Sequence, residues 1–194
     1  TNQVMYNAHQ HIWKYEVVNR TTITATCTNT GTCTDTDGGS ITIQAPDNLI
    51  YDGRDKSATI HEDNWQGQAV KDIKISYRMD GQAGDFPEGS TIKDAGTYNV
   101  TVALADKDNT QWVGGEIGDL TYSFKIDPKP VTVTAKDQVT RIGQPLAALT
   151  YTCAPAPCAG DSFTGELATN ANKDQLSDQY TISQGDLSLG NNYT

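Results

Sequence analysis

Hydrophobic and polar residues alternate with a period of two along most of the chain. The pattern runs through His11-Ile12-Trp13-Lys14-Tyr15-Glu16-Val17, Thr22-Ile23-Thr24-Ala25 and Ser40-Ile41-Thr42-Ile43. It returns in Lys71 to Tyr77, Tyr98 to Leu104, Leu120 to Ile126 and Val131-Thr132-Val133-Thr134. Successive side chains of a strand point to opposite faces, so each stretch predicts a half-buried strand. Between the stretches lie Asn19-Arg20, Gly38-Gly39, Asp52-Gly53, Asp80-Gly81, Asp106 to Asn109 and Gly114-Gly115, all residues that favour turns. Only Lys173 to Gln179 carries a helical hint, and it is short and polar. The expected fold class is all-β, with threonine on the solvent faces of many strands.

Two breaks divide the pattern. Asp127-Pro128-Lys129-Pro130 separates LTYSFKI from VTVTA, and paired prolines exclude both a helix and a central strand there. A weaker break falls at Asp35 to Gly39. The expected organisation is a hairpin-rich N-terminal segment at 1–38, an immunoglobulin-like β-sandwich at 39–127 and a smaller β-rich repeat at 128–194, joined by a short proline linker.

The segment DAGTYNVTV, from Asp94 to Val102, has an architectural explanation. In a β-sandwich, an acidic residue, a glycine and a tyrosine ahead of a strand form a tyrosine corner, whose hydroxyl bonds back to nearby backbone. Asp94, Gly96 and Tyr98 are the expected corner, with Val100 and Val102 on the core face of Tyr98.

Composition narrows the partners. The chain has 194 residues and a net charge of -10, so its field repels nucleic acid and anionic membrane surfaces. No apolar run approaches the roughly 20 residues of a spanning helix, so no membrane insertion is expected. The sequence opens at Thr1 without an initiator methionine and reads as a fragment of a longer chain.

Four cysteines fall in two local pairs, Cys27 with Cys33 and Cys153 with Cys158, each around turn-forming residues. Neither spacing is that of a zinc site or a C-x-x-C redox site. Two local disulfides are the expected state, with free thiols as the alternative. Each bridge would contribute about 2 kcal/mol by restricting the unfolded chain. Disulfides would point to an oxidising, extracellular compartment.

The segments ITIQAP, LIYDG, KDAGTYNVTVAL and YSFKIDPKPVTVTA resemble tandem immunoglobulin-like repeats of large bacterial cell-surface proteins. From Lys129 onward the likeness is to the MBG surface repeat. It is carried by KPVTVTA, Gly143, Pro145, Leu149-Thr150-Tyr151, GDSFTG at 160–165, Tyr180-Thr181-Ile182, Gly185-Asp186-Leu187 and the closing NNYT. HIWKYEVVNRTTITATC is similar to the segment that precedes such repeats. The resemblance implies a secreted, wall-attached, adhesin-like protein of stalk or display type, with neighbouring repeats of the same parent as partners. It transfers no catalytic residue. In the repeat family NNYT leads into one more strand, so the last module is expected to lack that strand or to be covered by a neighbour.

The remaining candidates are weighed against plainer roles. His9 and His11 share a strand face but make only half a metal site, and surface histidines are the simpler account. Asp35-Thr36-Asp37 and Asp106 to Asn109 place oxygens on turns without the bidentate acid of a calcium loop, so no metal and no cofactor are expected. Carboxylates are scattered over turns rather than paired across a cleft, and no hydrolase motif occurs, so no enzymatic activity is expected. An intramolecular Lys-to-Asn bond needs a buried lysine, which the sequence does not single out. The sequons at Asn19, Asn99 and Asn192 carry little meaning in a bacterial chain. Trp65 and Trp112 lie in polar, loop-like settings and are the candidate ligand-binding residues, for stacking on a glycan or host glycoprotein. The alternative is that Trp13, Trp65 and Trp112 each fold back onto their own sheet.

Overall fold

The computed structural model describes residues 11–19, 22–27, 40–63, 73–108, 110–112, 116–175 and 180–194. Among them there is no helix, hence none long and apolar enough to cross a membrane, and the fold is all-β. The strands are β1 (His11–Asn19), β2 (Thr22–Cys27), β3 (Ser40–Gln44), β4 (Thr59–Asp63), β5 (Ile73–Met79), β6 (Gly96–Leu104), β7 (Thr110–Trp112) and β8 (Leu120–Ile126). There follow β9 (Thr132–Ala135), β10 (Tyr151–Ala154), β11 (Ala168–Thr169) and β12 (Ile182–Ser183). The chain groups into two compact units. Unit 1 holds residues 1–49 and 55–126, and unit 2 holds 50–54 and 127–194.

Unit 1 contains a five-stranded sheet in the order β4-β3-β2-β1-β7 and a three-stranded sheet in the order β5-β6-β8. All its neighbouring strands are antiparallel except β1 and β7, which run parallel. Thus β1 and β2, assigned by sequence to a separate N-terminal segment, lie in one sheet with β3 and β4.

Period-two patterning explains why the second sheet has one core face. Along β6, Tyr98, Val100, Val102 and Leu104 are buried while their neighbours are half-buried. The register places Met79, Tyr98 and Phe124 in one rung, Tyr77, Val100 and Tyr122 in the next, and Ile75, Val102 and Leu120 in a third. A one-residue slip would expose the whole set, so the pattern fixes the pairing. Tyr98 stacks on Phe124 at 5.6 Å between ring centroids, and the tilted Phe86 ring lies 5.9 Å away. With Tyr98, the residues Ile43, Ile92 and Ile126 are the largest fully buried side chains among the described residues.

Unit 2 is built of short pieces. β9 pairs antiparallel with β10, and β11 with β12. A parallel bridge joins Lys129 to Tyr193, with Val131 N–H donating to Thr194 O at 2.8 Å and Thr194 N–H to Lys129 O at 3.1 Å. Two glycines permit close backbone crossing. A Cβ on Gly165 would strike the Asp186 carbonyl, and one on Gly185 would strike that of Glu166; their φ values are 71° and 60°. Both conformations and both approaches exclude an L side chain. Residues 173–175 form a turn, and the rest of the segment with the helical hint lies outside the described residues.

Candidate functional site

The tyrosine motif shows its chemistry in hydrogen bonds. The Tyr98 hydroxyl donates to the Asp94 backbone carbonyl at 2.9 Å, four residues upstream. Gly96 faces Met79, where a Cβ would come within 3.1 Å of the methyl end of that side chain. Burial, reinforced by the nearby Asp94 charge, pushes the Tyr98 phenol up to about 12. This tyrosine is a neutral, locked donor within a packed face, and its role is to hold the entry to β6.

A groove of about 490 Å³ opens in unit 2. Val133 and Ala135 on one face of β9, with Val131 just before it, line one side, and Phe163, Leu187 and Tyr193 add further wall. Tyr193 is the only titratable side chain in the lining. Burial first, then its hydrogen bond to Asp161, raises its pKa well above that of a free phenol. Such a wall offers shape and apolar surface.

Beside the groove, one carboxylate gathers two phenols. Tyr51 Oη donates to Asp161 Oδ2 at 2.8 Å and Tyr193 Oη donates to the same oxygen at 2.5 Å. The Cys158 N–H donates to Tyr193 Oη at 2.8 Å. The two rings meet edge to face at 5.5 Å. Lys129 Nζ donates to Ala156 O at 2.8 Å and lies 3.6 Å from Cys158 Sγ. Sequence reasoning marked LIYDG, GDSFTG and NNYT only as family motifs; nothing local in them says that their polar groups converge.

The other sequence-named residues are distributed as follows. Trp65 and the side chain of Trp112 lie outside the described residues, but the backbone of Trp112 on β7 is the register partner of Trp13 on β1. Two of the three tryptophans are therefore brought onto adjacent strands. The local disulfide expected between Cys153 and Cys158 is absent: both cysteines are free. Cys153 is held in β10 opposite Val133 with its thiol directed to Pro155 O, while Cys158 faces Lys129. Cys33, and the side chain of Cys27, lie outside the described residues. At the acidic turn, Asp106 Oδ1 accepts from Asp108 N–H and Lys107 pairs with Asp119 at 2.8 Å, an Asx-type turn with an exposed ion pair. His9 and Asp35 to Asp37 lie outside the described residues, and no cluster of three or more metal-ligating side chains occurs among those described. Asn99 donates to Asp80 across the hairpin. The buried lysine that sequence did not single out is Lys56, 4% exposed in unit 1.

The second unit of this all-β chain is made of short strands around an open apolar groove. Residues 131–194 match the family described as MBG domain (YGX type), a surface-repeat domain. Among curated proteins and among solved structures, none matches the chain.

Proposed function

We propose that this chain is a non-enzymatic extracellular module of a bacterial cell-surface protein, acting as an adhesin stalk or display repeat. The observation that carries the reading is the MBG match over residues 131–194, the part of the chain that forms nearly all of unit 2. Two further features support it. The net charge of -10 favours solubility at an exposed surface, and the described hydrogen-bond networks serve packing: Tyr98 to Asp94, Asp55 to Ile92 and Ser57, and Asp161 to two tyrosines. The partners of such a module are the neighbouring repeats of its parent, and its ligand-binding element is carried elsewhere.

Binding to an array of glycans and mucins tests this reading, with Trp65→Ala and Trp112→Ala variants shown to be folded. A stalk module gives no saturable signal. Saturable binding lost on both substitutions would replace the stalk reading with a carbohydrate-binding module that uses those tryptophans.

A further inference from the structure

We infer that residues 127–194 carry a binding site for a Tyr-x-Gly segment, and that residues 50–54 are its occupant in this chain. Ile50 to Arg54 group with unit 2, although residues on both sides of them in sequence belong to unit 1. The segment is held by backbone and side chain together. Ile50 bridges Asp127 in parallel, and Tyr51 N–H donates to Asp127 O at 2.8 Å, an added-strand contact that reads direction but not sequence.

Sequence is read at two positions. Tyr51 is 3% exposed, its ring set against the edge of Tyr193 and its hydroxyl on Asp161 Oδ2. Phenylalanine would fill the same space and leave that charged acceptor one donor short. Two residues on, Gly53 sits at φ 76°, and a Cβ there would lie in van der Waals contact with Cys158 Cβ at 3.4 Å. The left-handed backbone conformation is what disfavours any side chain there. Asp52 caps the turn between them by accepting from Arg54 N–H at 3.0 Å. Of the nine tyrosines in this sequence, Tyr51 alone is followed by a glycine at the second position.

The site therefore selects a hydroxylated aromatic ring followed at two residues by glycine. Its receptor groups are Asp161, Tyr193, Cys158 and the Asp127 carbonyl. The ligand class is a peptide segment, supplied here from within the chain.

The test uses the full chain. In Tyr51→Ala the site is vacated, and a synthetic peptide of residues 49–54 (LIYDGR) is titrated while amide shifts are followed by NMR. Saturable shifts at Asp161, Tyr193 and Cys158 are expected, with LIFDGR and LIYDAR each binding about tenfold more weakly. Tyr51→Phe in the intact chain, which keeps the ring, is expected to speed hydrogen exchange at the Cys158 amide several-fold and to leave β5, β6 and β8 unchanged. Equal binding of the tyrosine and phenylalanine peptides, an absence of saturable shifts, or an unchanged Cys158 amide in Tyr51→Phe would overturn the assignment.

Discussion

Tyr98→Phe should cost stability at neutral pH and lose that cost in alkali. The substitution keeps the ring stacked on Phe124 and removes one hydrogen bond, from the phenol to the Asp94 carbonyl. Asp94 is exposed, so water can replace the lost donor, and the expected cost near pH 8 is about 1 kcal/mol. The same phenol creates a pH dependence. Its folded pKa is raised to about 12 from the ordinary value of 10.0, chiefly by burial. Below pH 10 the folded and unfolded chains are both protonated at this position and its contribution is complete. Between pH 10 and 12 the unfolded chain releases the proton while the folded chain retains it, so stability falls with rising pH. Two pH units at about 1.4 kcal/mol each give a total loss of about 3 kcal/mol. The phenylalanine variant has no such loss, and other raised tyrosines act on both proteins alike. The two stability curves should therefore cross near about pH 10.7, where the native protein has lost roughly 1 kcal/mol. Urea unfolding from pH 8 to 11.5, read at the transition that Tyr98→Phe displaces at pH 8, measures both curves. Parallel curves across this range would refute the reasoning, because they would place the alkaline titration on some group other than Tyr98.

Core truncation should separate buried from exposed aliphatics: Ile126→Ala, at a position with no exposure, is expected to cost about 2–5 kcal/mol in urea unfolding. Val139→Ala, at 98% exposure, is expected to stay within about 0.5 kcal/mol. In unit 2, Gly165→Ala and Gly185→Ala force backbone to move as well as φ to change, and each should lower the thermal midpoint more than Gly190→Ala. Gly190 has the same left-handed conformation, but its missing Cβ faces open space. Equal midpoints for the three variants would show that the crossing of 165–166 with 185–186 carries no stability. Lys129→Met removes a donor from Ala156 O on a half-buried side chain and should cost no more than about 1 kcal/mol in the same melts.

The parts of the fold readable in sequence are those whose partners share a local rule. Leu120 to Ile126 alternates over the same bounds as β8, and in β6 the alternation names the four buried residues. Thr59 to Asp63 carries a single aliphatic, and β11 and β12 are two residues each; no periodic signal survives at that length. The site around Asp161 was hidden for a different reason. Tyr51 and Asp161 are 110 residues apart, and nothing in the pattern of LIYDG distinguishes a strand end in its own module from one added to another set of residues. Cysteine spacing predicts which sulfurs can meet but does not register the competing contacts of Cys153 and Cys158 with Pro155 and Lys129.

The position of β6 between β5 and β8 has a mechanical consequence. Seven residues of β6 pair with each neighbour, and β8 leads directly from Ile126 to Asp127. Tension entering through Asp127 along the axis of β8 acts parallel to that strand and perpendicular to its hydrogen bonds with β6. The rungs from Gly96 to Val102 are then loaded together in shear instead of opening one after another, as they would if the strand were peeled sideways. In the stalk role proposed above, the direction of loading sets the rupture force as much as the strength of any one bond.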